Sequence, residues 1–205
     1  MNYIYREDQW KKGSNNVASM LIDYIFCLLP NDRRHLVLHA DNCVGQNKNN
    51  TILKVFVWRC FMEYCETIEF KFMIKGHTKF APDGNFGHIK RVYAATSSFT
   101  LEDVKSCIQD ASVVNTCKIF PSSRFKDYRS GLDHFFKNIK GIANYQQFKF
   151  SSVSKGKMTM FVNANSQEMV TLGLVKYHDL VNLENKFIPD TLPCPELTER
   201  KRADI

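Results

Sequence analysis

His35-Leu36-Val37-Leu38-His39-Ala40-Asp41 is the stretch on which the fold turns. Its near-continuous apolar run suits a strand in a buried, central position, and an acid stands directly where that strand ends. A polar loop follows, Asn42 to Asn50. From about Thr51 to Glu66, Ile52, Leu53, Phe56, Cys60, Phe61 and Tyr64 then recur on one face of a helix. Ile68 to Ile74 reads as the next strand. Strand, helix, strand is the unit of a parallel or mixed sheet with helices packed on it.

The same alternation extends outward. On the N-terminal side, Asn2-Tyr3-Ile4-Tyr5 reads as a strand and Gly13-Ser14 breaks the chain. Ser14 is placed to cap a helix carrying Val17, Met20, Leu21, Tyr24, Ile25 and Leu28, which Pro30-Asn31-Asp32 ends. On the C-terminal side, Gly76-His77-Thr78 closes the strand, and Pro82-Asp83 opens a helix with Phe86, Ile89 and Tyr93. Thr100 and Asp103 form a capping-box pattern that starts a short helix. Lys126 to Ile139 reads as one more helix, closed by Gly141. Phe148–Ser151 and Lys157–Val162 read as a hairpin turning at Lys155-Gly156. The expected organisation is therefore an α/β core over 1–117, a basic helix-and-hairpin extension over 118–188 packed on it, and a loose tail over 189–205.

Composition narrows the class. The chain has 205 residues, 44% hydrophobic and 24% charged, which fits a globular protein able to bury a core and excludes whole-chain disorder. The longest apolar run, Met20 to Leu29, is broken by Asp23 and falls short of the ~20 residues of a membrane span. No signal peptide is expected ahead of the fold. Seven scattered cysteines without a C-x-x-C argue against a disulfide framework and for a reducing compartment, nuclear or cytoplasmic. Cys60 and Cys65 with a histidine could bind zinc only without the paired short spacings that such sites show.

Charge is concentrated. The net charge is +7, and residues 118–157 carry nine basic side chains against two acidic ones. That segment interleaves Lys118, Arg124, Lys126, Arg129, Lys137, Lys140 and Lys149 with eight aromatics from Phe120 to Phe150. Cations track phosphates and aromatics stack bases, so DNA is the expected partner. The alternatives are a solvated basic face and, for Leu132, Phe135 and Phe136 at helical spacing, a place in the core.

Ligands of open α/β sheets bind at the carboxyl ends of strands. Asp41 ends one strand and Asp83 follows another, with His77 and Lys79 nearby in sequence. If the two strands are parallel neighbours, both carboxylates face one edge, where they could hold Mg²⁺ or Mn²⁺. Each acid also has a plainer explanation: Asp41-Asn42 is turn chemistry, and Asp83 caps a helix. The loop between supplies Asn42, Gln46, Asn47 and Lys48, amides and a point charge suited to a phosphate backbone.

Two blocks make the pattern specific: Asp41-Asn42-Cys43-Val44-Gly45-Gln46-Asn47-Lys48-Asn49, and Gly76-His77-Thr78-Lys79-Phe80-Ala81-Pro82-Asp83 followed by Phe86-Gly87. With Gly13-Ser14-Asn15-Asn16-Val17-Ala18-Ser19 upstream, they resemble a family of uncharacterised, multicopy eukaryotic domains derived from transposases with an RNase H-like fold, over roughly residues 3–150. The resemblance implies Asp41 and Asp83 as catalytic, metal-holding acids with His77 beside Asp83. The third acid of such a core belongs on a first strand, and this chain is expected to begin after that strand. Glu7 and Asp8 match a different position, so the metal site is expected to be incomplete.

Three functions are compatible with these residues. One is a metal-dependent DNA-cutting or strand-transfer core, whole or truncated. Another is the same fold holding DNA by charge without chemistry, alone or as a homo-oligomer. The last is an interaction domain whose basic face meets an acidic protein.

Overall fold

The computed structural model describes residues 1–6, 12–25, 34–73, 81–163, 166–176, 183 and 187–194. It is mixed α/β and resolves into two compact units. Residues 12–75 and 126–191 form the larger unit; residues 1–11, 76–125 and 192–205 form the other.

The larger unit is built on a five-stranded sheet of β2 (His35–Ala40), β3 (Thr67–Phe72), β5 (Gln147–Ser151), β6 (Lys157–Phe161) and β7 (Met169–Gly173), in the order β2-β3-β5-β6-β7. Its helices are α1 (Ser14–Asp23), α2 (Asn50–Phe61) and α5 (Tyr128–Phe135). β2 and β3 are parallel, as the strand–helix–strand reading requires, and the remaining pairings are antiparallel. The hairpin expected at 148–162 is present as β5 and β6, and it joins the sheet through β3.

Period-two alternation gives the sheet two unlike faces. One carries Leu36, Ile68, Phe150, Met158 and Leu172 side by side, with Leu38, Phe70, Phe148, Met160 and Val170 in the next row. α2 covers this face, with Phe56 set edge-on to Phe70 and Phe150 at 5.1 and 5.7 Å. α2 is buried over almost its whole circumference because α1 and α5 also pack against it. The opposite face is polar, with rows His39-Lys71-Gln147-Phe161-Met169 and Val37-Glu69-Lys149-Thr159-Thr171.

Three expectations are corrected. β2 is an edge strand, hydrogen-bonded only to β3 among the described residues. Ser14 does not cap α1; Gly13 holds the N-cap without a side-chain bond, and Ser14 Oγ instead donates to Thr51 Oγ1 at 3.2 Å. The helix read over 126–139 is only the eight residues of α5, with Asp127 as its N-cap. Phe136 turns extended and bridges Val175, while Lys137 N donates to Leu174 O and Lys176 N to Phe135 O, both at 2.8 Å. Pairing with a distant segment thus ends the helix before Gly141. At the hairpin turn, Gly156 (φ 69°) faces Val175 so closely that a Cβ would lie 2.1 Å from its Cγ2, so only glycine fits.

The smaller unit pairs β1 (Asn2–Ile4) in parallel with β4 (Cys117–Ile119). α4 (Leu101–Asp110) packs on both strands, and α3 (Ala81–Ala95) packs on α4. Tyr3, Phe120, Phe125 and Tyr5 form an aromatic chain with centroid spacings of 5.4, 4.7 and 5.2 Å. The capping box is realised: Asp103 N donates to Thr100 Oγ1 at 3.1 Å, and Thr100 N donates to Asp103 Oδ2 at 2.8 Å.

Candidate nucleic-acid interface

The loop after β2 is bonded to itself. Asp41 Oδ1 accepts from Cys43 N at 3.0 Å and from Asn47 Nδ2 at 2.7 Å. Asn42 Nδ2 donates to Met73 O. Asn49 caps α2 by accepting from Ile52 N at 3.2 Å and donates to Val44 O at 3.1 Å. Lys48, read from sequence as a point charge for phosphate, is buried; its ammonium donates to Asn42 Oδ1 at 3.0 Å and Ala143 O at 3.3 Å and lies 5.0 Å from the Phe72 ring centre. Burial holds its pKa below the usual lysine value. Gln46 is half-buried, and its backbone N–H donates to Cys43 O at 3.2 Å. Four of the five amides that made this loop conspicuous are engaged inside the protein: Asn47 by Asp41, Asn49 by the backbone at the start of α2, Asn42 by Met73 and Asn50 by Ile139.

The basic segment divides between the units: residues 118–125 belong to the smaller, and 126 onward to the larger. Its aromatics are core. Phe120, Phe125, Tyr128, Phe135, Phe136, Phe148 and Phe150 are all buried, so the stacking platform expected from their interleaving is not available. The cations behave differently. Arg129, Lys137 and Lys140 are exposed, and none has a carboxylate within ion-pair distance among the described residues. Lys126 is half-buried, and its Nζ donates to Thr191 Oγ1 at 2.7 Å.

Polar rivets hold this segment against α1 and α2. Asn15 Nδ2 donates to Asp127 Oδ1 at 2.8 Å, and Asn15 Oδ1 accepts from Arg129 N at 2.9 Å. Ser19 Oγ accepts from Lys126 N at 2.9 Å. Asn50 reads both backbone groups of Ile139, accepting from N at 2.7 Å and donating to O at 3.2 Å. Lys54 is fully buried, pairs with Asp133 and donates to Asn138 Oδ1 at 2.7 Å. Burial pushes the Asp127 carboxyl up, but bonds from Ser130 and Asn15, with the Arg129 charge, hold it below its ordinary value. Sequence reasoning missed Asn15, Asn50 and Lys54 as the devices that shape this surface. The signal was present for Lys54, a cation set among Ile52, Leu53, Val55 and Phe56 in a largely apolar helix.

The two acids read as metal ligands lie in different units. Asp41 stands exposed at the end of β2 in the larger unit; Asp83 lies exposed in the first turn of α3, in the smaller. His77 and Lys79, like Glu7 and Asp8, fall outside the described residues. Among the described residues no three His, Cys, Asp or Glu side chains converge, and one Asp41 oxygen is already engaged by two N–H donors. Mg²⁺ or Mn²⁺ needs oxygen ligands converging from several sides, and around Asp41 the described residues supply one carboxylate and amide groups. Burial pushes the Cys60 and Cys65 thiols up to about 12 and about 11, away from the thiolate form that binds zinc.

The polar sheet face was also not foreseen. An open cavity of about 480 Å³ lies over it, lined by Thr67, Glu69, Lys149, Ser151, Lys157 and Thr159 among others. Glu69, one of its lining residues, is bonded to Lys71 and Lys149 at 2.9 Å each and to Gln147 at 3.3 Å. These two lysines are therefore neutralised where they stand. No helix of the described residues is long and apolar enough to cross a membrane.

Fold and surface together define a mixed α/β chain with a polar loop at a strand end and, on a separate segment, three exposed cations outside ion-pair distance of any carboxylate among the described residues. The chain belongs to the family described as Domain of unknown function (DUF7869), whose model matches residues 2–168. No curated protein and no solved structure matches it.

Proposed function

We propose that this chain is a nucleic-acid-binding domain, related to transposase cores of RNase H-like type, that holds DNA by charge and does not itself cut it. The observation that carries the reading is the exposure of Arg129, Lys137 and Lys140, none within ion-pair distance of a carboxylate among the described residues, on a segment fixed by Asn15, Asn50 and Lys54. Fixed cations neutralise phosphates without first losing conformational freedom. The relation to transposase cores rests on the two motif blocks around Asp41 and Asp83.

The test is a salt titration of duplex binding. With about four cations engaged, log affinity should fall against log salt with a slope of roughly −3 to −4. Replacing Lys126, Arg129, Lys137 and Lys140 together by alanine should flatten that slope while the circular dichroism spectrum stays unchanged. Binding indifferent to salt, or to the fourfold change, would leave the surface as an ordinary solvated one. Plasmid DNA should stay intact with Mg²⁺ or Mn²⁺, and cleavage abolished by Asp41→Ala would refute the non-cutting part.

A further inference from the structure

We infer that the outer edge of β2 is a self-pairing interface, at which a second copy of this chain docks antiparallel with Val37 on the two-fold axis. β2 has the sequence of a strand meant for the middle of a sheet and stands at its edge. Edge strands are ordinarily protected by lysine, proline or a bulge. β2 runs six residues in unbroken register with β3 and contains neither lysine nor proline.

The hydrogen-bond direction identifies the unmet groups. Arg34 O accepts from Glu66 N and Thr67 N, and Ala40 O accepts from Met73 N, so even-numbered residues of β2 face β3. In a parallel ladder the N–H and C=O of a residue point the same way, and the sense alternates along the strand. His35, Val37 and His39 therefore aim their backbone groups at the open edge. Burial falls off there too: Leu38 is only half-buried, while its neighbour across the ladder, Phe70, is 4% exposed and Val37 is 56% exposed.

The occupant is indicated by the sequence of the strand. His35-Leu36-Val37-Leu38-His39 reads the same in both directions. An isologous pairing brings each patch against itself. With the axis at Val37, His35 meets His39 of the second copy and Leu36 meets Leu38. The leucines then continue the apolar face and the histidines the polar one. Three residues per strand exchange N–H and C=O, and the two sheets become one continuous sheet. This proposal does not depend on nucleic-acid binding.

Sedimentation of the intact chain over a concentration series tests it. A reversible dimer is expected. Val37→Pro removes an N–H that bonds to none of the described residues, so the monomer should keep its circular dichroism spectrum and thermal midpoint while dimerisation weakens by about tenfold or more. Val37→Lys, which sets two ammonium groups side by side, should act in the same direction. In a Cys43→Ser, Cys194→Ser background, Val37→Cys should be joined to its counterpart by a short bis-maleimide. A monomer at all concentrations, a dimer indifferent to both Val37 changes, or an edge that instead takes up a strand of another protein would overturn the proposal.

Discussion

The loop 41–50 and the segment 126–140 carry similar polar inventories and use them in opposite ways. In the loop, Asp41, Asn42, Asn47, Lys48 and Asn49 bond to one another or to nearby backbone. In the segment, Asp127, Asp133 and Asn138 are the groups tied down, and Arg129, Lys137 and Lys140 are left to solvent. A polar side chain is available to a ligand only when the fold has not already assigned its donors and acceptors. Richness in amides is a poor guide to binding, because amides are also the best tool for closing a tight loop.

The largest effect that would break this contrast lies at Lys54, which joins α2 to the basic segment. Lys54→Ala should destabilise the protein by about 3 kcal/mol, since it opens a cavity and leaves Asp133 and Asn138 without their shared donor. Lys54→Met, which keeps the volume, should lose about 1 kcal/mol less or better, because Asp133 is 41% exposed and can turn to water. Urea unfolding measures both. Equal losses would mean that the ion pair rather than the packing dominates.

Next in size is Asn50. Its amide satisfies both backbone groups of Ile139, between Lys137 and Lys140. Asn50→Ala should cost about 1–3 kcal/mol by leaving part-buried groups unpaired. Hydrogen exchange at the Ile139 amide should accelerate with it. An unchanged exchange rate would show that the cation strip is held by something else.

The contrast itself is sharpest between Lys48 and the pair Lys137 and Lys140. Lys48→Met should lower stability by about 1–2 kcal/mol and leave the salt slope of DNA binding unchanged. Lys137→Ala with Lys140→Ala should do the reverse, with stability within about 0.5 kcal/mol and a slope shallower by roughly 2. Crossed results would exchange the roles of the two regions.

What the sequence shows of this molecule is what is encoded locally. The alternation of β2 and β3, the apolar helix between them, the Thr100–Asp103 box and the hairpin around Gly156 each depend on residues a few positions apart. The early end of α5 was not legible, because Val175 competes for Phe136 from far along the chain. The edge position of β2 was hidden for the same reason: apolar content reports burial on two faces and says nothing of how many neighbours bond to the strand. In the candidate site, the cations of 126–140 could be read because charge needs no partner. The burial of Lys48 and of the aromatics depends on the tertiary structure around them.

The smallest effect concerns a third group of lysines, those held by Glu69 on the polar sheet face. Hydrogen bonds from Lys71 and then Lys149 hold the Glu69 carboxyl below its ordinary value. A carboxyl depressed in the folded state adds stability above its unfolded pKa, about 4.3, and loses it as pH falls through the lower folded value. The pairs are partly exposed, at 32% for Lys71 and 44% for Lys149, so solvent limits the contribution to about 1 kcal/mol or less. Glu69→Gln should therefore match the wild type at the acid end of a stability–pH curve and fall slightly below it at neutral pH. The same change frees Lys71 and Lys149. If availability decides binding, Glu69→Gln should steepen the salt slope by up to roughly 2 while stability barely moves. An unaltered slope would confine the nucleic-acid surface to the strip beside α5 and exclude the sheet face from it.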